Sequence, residues 1–262
     1  MSQRRPEGER RSLLDRSVAW ILSTLALMLL GLAGWIRLRF GAVTFDQVVS
    51  NLPVLDAATV DESMPGAAEF FDATLKFSVR SPDTVSFISE TPWENLHLMP
   101  ASGLLDELHG KLESRHKIYK LRDALVELEG EYDSIWIDTP PALNFYTRSA
   151  LIAAQGCLIP FDCDDFSRRA LYGLLESIKE IQADHNPDLV IEGIVVNQFQ
   201  PRASLPQRTV QELIDEGLPV LEPYLSASVK IKESHEMSCP MIHLDANHKL
   251  TQQFVALYES LG

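Results

Sequence analysis

The chain has 262 residues, 45% of them apolar, and a formal charge of −14. That is enough for one large domain, or for a medium domain with an appendage, each with a sizeable core. Residues 1–63 hold seven arginines and seven acids, so residues 64–262 carry the whole −14; this argues against a broad nucleic-acid-binding face, which needs clustered Lys and Arg, and leaves only local basic patches open.

Residues 1–17 are polar and contain five arginines. Val18 to Ile36 follows as nineteen residues without a charge, with Trp20 and Trp35 near its ends. As a helix at about 1.5 Å per residue this stretch would cover the ~30 Å hydrocarbon core, so a transmembrane helix is expected over 18–36. Residues 37–65 read as a juxtamembrane segment and a junction, and from Gly66 the pattern changes to a compact alternation of helices and strands.

Helices are expected at Ala67 to Leu75, Leu104 to Leu112, around Ile118 to Leu128, and at Leu143 to Ala154. Further helices are expected at Phe166 to Ala183, Leu205 to Glu216 and Leu250 to Leu261. Strands are expected within 95–102 and at 134–138, 156–161, 189–197 and 218–221. Strands separated by such helices imply an α/β fold, with a largely parallel sheet covered on both faces.

One stretch carries chemistry. Ser134-Ile135-Trp136-Ile137-Asp138 is an apolar run that ends on a carboxylate, and Thr139-Pro140-Pro141 follows. A buried strand of this kind delivers Asp138 to the carboxyl edge of a sheet, where α/β proteins bind ligands, and the prolines end the strand because they lack N–H donors. An acid there is suited to hold Mg²⁺ beside a nucleotide phosphate, or else to cap the next helix. Asp162, Asp164 and Asp165 cluster beyond another strand end, where capping of the helix near Phe166 is the favoured role over a place at the site's edge. The three cysteines, Cys157, Cys163 and Cys239, are odd in number and form no C-x-x-C pair, which points to buried free thiols and a cytoplasmic setting. The seven histidines show no i, i+4 pair and no cysteine partner in ligand spacing, and no G-x-S-x-G elbow occurs.

Several blocks stand in a recognisable order: Leu96 to Ser102, Tyr132-Asp133 through Ile137 to Asn144, Ala150 to Ala154, Leu158 to Pro160, Asn186 to Leu189, Glu192 to Asn197 and Val229 to Ser234. On these blocks residues 66–262, about three-quarters of the chain, resemble the ParA/Soj family of partitioning ATPases, relatives of MinD with a P-loop NTPase fold. The resemblance implies ATP and Mg²⁺ as cofactors, with Asp138 as the catalytic, metal-side acid and Thr139-Pro140-Pro141 as the switch that senses the γ-phosphate. It implies adenine contacts from Asn197 and, where the family has a proline, from Ser226. It also implies non-specific DNA binding through Lys230, Lys232 and Arg202, dimer formation, and a ParB-type partner protein. Residues 37–53 faintly resemble the juxtamembrane part of phosphoglycerol transferases of the lipoteichoic-acid-synthase type.

The family's opening strand and its Lys-Gly-Gly-x-Gly-Lys-[Ser/Thr] loop are not found, and neither is G-x-x-x-x-G-K-[S/T]. That loop supplies the N–H cradle and the lysines that neutralise phosphate. Loss of ATP hydrolysis is therefore expected, together with open edges on strands such as 134–138. Five arginines before the apolar stretch and two after it would hold the N-terminus in the cytoplasm and send residues 66–262 across the membrane. The two parts thus favour opposite compartments and read as a join near 60–66. The expected function is a partitioning-family protein, truncated or fused and without competent hydrolysis. The alternatives are a membrane-tethered pseudo-ATPase acting as an interaction module, and an envelope-biogenesis fragment carrying a ParA-like remnant.

Overall fold

The structure, a computed structural model, describes residues 35–38, 43–46, 65–77, 82–90, 97–140, 143–237, 239 and 241–261. The chain order begins with β1 (Trp35–Leu38) and β2 (Val43–Asp46), then α1 (Ala67–Leu75), a 3₁₀ turn (Thr84–Phe87), β3 (Ser89–Glu90) and β4 (His97–Pro100). Next come α2 (Leu104–Ser114), α3 (Lys120–Glu127), β5 (Ile135–Asp138), α4 (Phe145–Ala153), β6 (Gly156–Asp162) and α5 (Asp165–Asp184). The chain closes with β7 (Val190–Asn197), α6 (Ser204–Asp215), β8 (Val220–Leu221), α7 (Lys230–Glu236), α8 (Met241–Leu244) and α9 (Lys249–Glu259).

The strands form one sheet in the order β3-β4-β2-β5-β1-β6-β7-β8. The pairs β2–β4, β2–β5, β6–β7 and β7–β8 are parallel, and β1 runs antiparallel to both β5 and β6. At the far edge β3 is antiparallel to β4.

Period-2 alternation of the strands sorts the core into two layers. Ile135 and Ile137 of β5, Ile159 and Phe161 of β6, and Ile194 and Val196 of β7 join Phe71, Leu112, Phe145 and Ile178 on one face. The intervening residues Trp136, Leu158 and Val195 join Leu225, Met241, Leu250, Phe254 and Leu257 on the other. Both faces are therefore covered, as the apolar pattern of β5, β6 and β7 requires.

Three expectations are corrected. The helix expected over 18–36 does not include its last two residues, because Trp35 and Ile36 are in β1; an aromatic and a β-branched residue are good strand formers, and here they fill the gap between two central strands. Residues 18–34 lie outside the described residues, and no described helix is long and apolar enough to cross a membrane. Nor does β5 have open edges, since β2 pairs with one side of it and β1 with the other. Arg37, Leu38 and Val43 to Asp46 are parts of this same sheet, so the faint transferase resemblance over 37–53 is not upheld. The junction at 54–64 lies outside the described residues.

Candidate functional site

The parallel strands bring Asp46, Pro100, Asp138, Asp162 and Asn197 to one carboxyl edge. Because β1 is antiparallel, its first residue lies at this edge, with Trp35 opposite Asp138 on one side and Leu158 on the other.

On the β5 side, Asp138 is half-buried, Thr139 is buried and Pro140 is half-buried. The loop beyond them is tied down by α4 and α2. Asn144 caps α4, its Oδ1 accepting from Tyr146 N at 3.0 Å and Thr147 N at 3.1 Å. Thr147 Oγ1 donates to the Pro140 carbonyl at 3.4 Å, and Phe145 N donates to His109 Nε2 at 3.3 Å. The Tyr146 hydroxyl donates to the Leu105 carbonyl, and burial together with nearby Asp106 holds that phenol far above its ordinary range. Asp138, Thr139, Phe71, Leu105 and Tyr146 surround a void of about 30 Å³. That is room for a water or two.

The β7 side is different. Asp162 and Asn197 are register partners at the ends of β6 and β7, and their side chains hydrogen-bond. Burial pushes the Asp162 carboxyl up; the Asn197 bond partly offsets this, and the charge of Asp164 adds to it. Beyond Asn197, Phe199 N donates to Leu225 O at 2.8 Å, and Phe199 bridges to Ser226. Gln253 of α9 holds the second loop, its Oε1 accepting from Ser226 N at 3.1 Å and its Nε2 donating to Tyr224 O at 2.7 Å. A cavity of about 490 Å³ opens there, lined by Phe199, Arg202, Ser226, Ser228 and Lys249 among others. This is the size of an ordinary small-molecule pocket, with an aromatic wall and a polar rim.

The remaining predicted residues are dispersed. Lys230 is held by Glu233 at 2.8 Å, which raises its pKa, and Lys232 is exposed on the same helix. Arg202 is exposed at the mouth of the large cavity. Asp164 caps α5 as expected, its Oδ1 accepting from Ser167 N at 2.7 Å. None of the three cysteines is in a disulfide. Burial pushes Cys157 up to about 12 and Cys163 up to about 11, so neither is a thiolate nucleophile at neutral pH. No cluster of three or more His, Cys, Asp or Glu suited to a metal occurs among the described residues. Sequence reasoning missed Asp46, which the backbone puts at the same edge as Asp138, and the Asp162–Asn197 pair.

The fold agrees with comparisons to known proteins. Residues 68–191 match the family described as an AAA domain. The chromosome partitioning protein ParA of Myxococcus xanthus is 33% identical over 170 residues, 63% of this chain and 59% of that protein. The chromosome-partitioning ATPase Soj of Treponema pallidum is 32% identical over 181 residues, 65% of this chain and 71% of the relative. The chain thus spans less than two thirds of the Myxococcus relative's length. Among solved structures, cobyrinic acid a,c-diamide synthase from Mycobacterium smegmatis, solved with a bound ATP analogue and magnesium, superposes with a TM-score of 0.69 at 20% identity, covering 93% of this chain and 89% of that one. At that identity the likeness concerns the fold, a P-loop NTPase-like α/β sheet. Together with the partitioning relatives it leads to one conclusion: the chain belongs to the ParA/Soj family.

Proposed function

We propose that this protein is a partitioning-family member that keeps the base side of a nucleotide site but lacks effective ATP hydrolysis. The observation that carries this is the direction of β1 beside Asp138. A phosphate loop follows the carboxyl end of a central strand and leads into a helix N-terminus, so that backbone N–H groups surround the phosphates. Here the antiparallel β1 begins at that edge instead of ending there. No Gly-rich lysine loop exists anywhere in the sequence, and residues 18–36 contain no lysine or arginine to replace it.

The fit to ATP and Mg²⁺ is therefore split. The cavity of about 490 Å³ beside Phe199 and Ser226 has the size and chemistry for a base and sugar, with Asn197 just before it in the chain. Among the described residues the Asp138 side offers one carboxylate, a buried Thr139 and a void of about 30 Å³, which by themselves do not hold a triphosphate with its metal. Asp138 stands as the metal-side acid of the family, and Thr139 and Pro140 as its switch, without a phosphate cradle to serve. No hydrolytic step is derived from this arrangement.

The family's partners remain part of the reading: a ParB-type protein, and DNA contacted through Lys230, Lys232 and Arg202. Three cysteines without a disulfide suit a reducing compartment such as the cytoplasm. Calorimetric titration of the full chain with ATP–Mg²⁺ tests the proposal. Binding no tighter than about 1 mM is expected, roughly 4 kcal/mol short of micromolar affinity. Micromolar binding that Asp138→Ala abolishes, with an unchanged circular-dichroism spectrum, would restore the enzyme reading.

A further inference from the structure

The cavity on the β7 side differs from the chain as a whole in its charge. The chain has 37 acidic and 23 basic residues, yet no acid lines this cavity, while Arg202, His248 and Lys249 do. Arg202 and Lys249 are exposed at its mouth, and among the described residues neither is in an ion pair. Acids outside it act on other groups: Asp162 bonds Asn197 and Gln198, and Asp245 adds to Glu233 in raising the pKa of Lys230.

The lining joins a flat apolar wall to a rim of donors. Phe199 is held edge to face by Tyr224, at 4.9 Å and 67°, and buried Leu250 adds further apolar surface. At the rim, His248 Nδ1 accepts from Leu250 N at 3.1 Å. A neutral imidazole bonded in this way carries its proton on Nε2, which lies 3.5 Å from Ser228 Oγ. The same Oγ accepts from Lys230 N at 3.1 Å, so the Ser228 hydroxyl keeps its own proton to donate. Two cations and a hydroxyl donor beside an aromatic wall suit a ligand with a flat ring and an anionic group.

Given the base pocket proposed above, on which this inference rests, we propose that the cavity takes a nucleoside monophosphate without a metal ion, its ring against Phe199 and its phosphate held by Arg202 and Lys249. A phosphomonoester carries about −1.5 to −2 at pH 7, which two cations match, and a guanidinium takes two of its oxygens at once. A triphosphate brings more charge than these two groups neutralise, into a chain whose formal charge is −14. A cavity of about 490 Å³ takes one nucleotide rather than a strand, and of the three cations proposed above for DNA only Arg202 lines it.

Calorimetric titration of the full chain with adenosine 5′-monophosphate in EDTA, with adenosine, and with ATP–Mg²⁺ tests this. The monophosphate is expected to bind about tenfold or more tighter than either of the others. Arg202→Gln with Lys249→Gln should remove that advantage and leave adenosine binding unchanged, whereas Phe199→Ala should weaken adenosine and the monophosphate alike. Arg202 and Lys249 are exposed, so replacing them should leave the fold intact, and circular dichroism checks each variant. A monophosphate that binds no more tightly than adenosine overturns the phosphate site and leaves the base pocket standing. Monophosphate affinity unchanged in the double variant also overturns it. Failure of both adenosine and the monophosphate to bind up to about 10 mM overturns the base pocket and this proposal with it. ATP–Mg²⁺ as the tightest of the three overturns this proposal together with the reading of a missing phosphate cradle.

Discussion

The two halves of the carboxyl edge are built by different means. On the β7 side, strand ends, loops and a distant helix are cross-linked by side chains: Asp162 to Asn197, Phe199 to Leu225, and Gln253 to Ser226 and Tyr224. The geometry of that half depends on residues that are all present. On the β5 side the acid is delivered and the loop after it is pinned by Asn144, Thr147 and His109, and the neighbouring β1 runs antiparallel to β5. A pocket for a base is made of side chains and tolerates variation in the backbone. A phosphate site is made of backbone N–H groups and a helix N-terminus, so it depends on the direction of the strand that leads to it.

If this contrast holds, the base half should respond to its supports while the β5 side stays intact. The largest effect is expected from Phe254→Ala. Phe254 is 2% exposed in the layer under the β7 side, next to Leu225 and Leu250, and truncating a buried aromatic costs about 3–5 kcal/mol. Urea unfolding followed by circular dichroism measures it; a loss under about 1 kcal/mol would mean that this layer does not hold the pocket. Gln253→Ala comes next. It leaves Ser226 N and Tyr224 O without their partner, at a cost of about 1–3 kcal/mol. Hydrogen exchange should speed up at residues 224–228 and stay unchanged at 135–140, which compares the two halves directly.

What the sequence discloses follows the same divide between local and long-range causes. Asp138 and its strand are legible, because an apolar run stopped by an acid and prolines is a local signal. So is α5, where Leu171, Leu175, Ile178 and Ile181 recur at helical spacing and all are buried; its bounds differ from expectation by one residue at each end. β1 is not legible: Trp35 and Ile36 end a charge-free run in which periodicity cannot separate strand from helix, and their place is set by the vacancy between β5 and β6. β3 has two residues and α8 four, too few for any period to show. The Asp162–Asn197 pair depends on the order of strands in the sheet, which no short window contains.

The smallest predicted effect concerns the border between the halves, Asp162 at the end of β6. Burial raises its carboxyl pKa in the folded protein above the unfolded value near 3.9. A raised carboxyl favours folding while it is protonated. That contribution is complete below the unfolded pKa and disappears as pH rises through the folded one. At pH 7 the charged Asp162 therefore costs stability, even though Asn197 hydrogen-bonds it and Gln198 Nε2 donates to its Oδ2 at 3.3 Å. Asp162→Asn keeps an acceptor for one of these amides and removes the half-buried charge. The variant should be more stable than the wild type at pH 7 by up to about 1 kcal/mol, within the ordinary range for one substitution. The gap should close as pH falls and the wild-type carboxyl takes up its proton. Thermal unfolding of both proteins across pH 3–7 reads the difference. A gap that does not change with pH would show that Asp162 is not the half-buried, titrating link between the two halves, and the Asn197 side of the site would then have to be held by the loops alone.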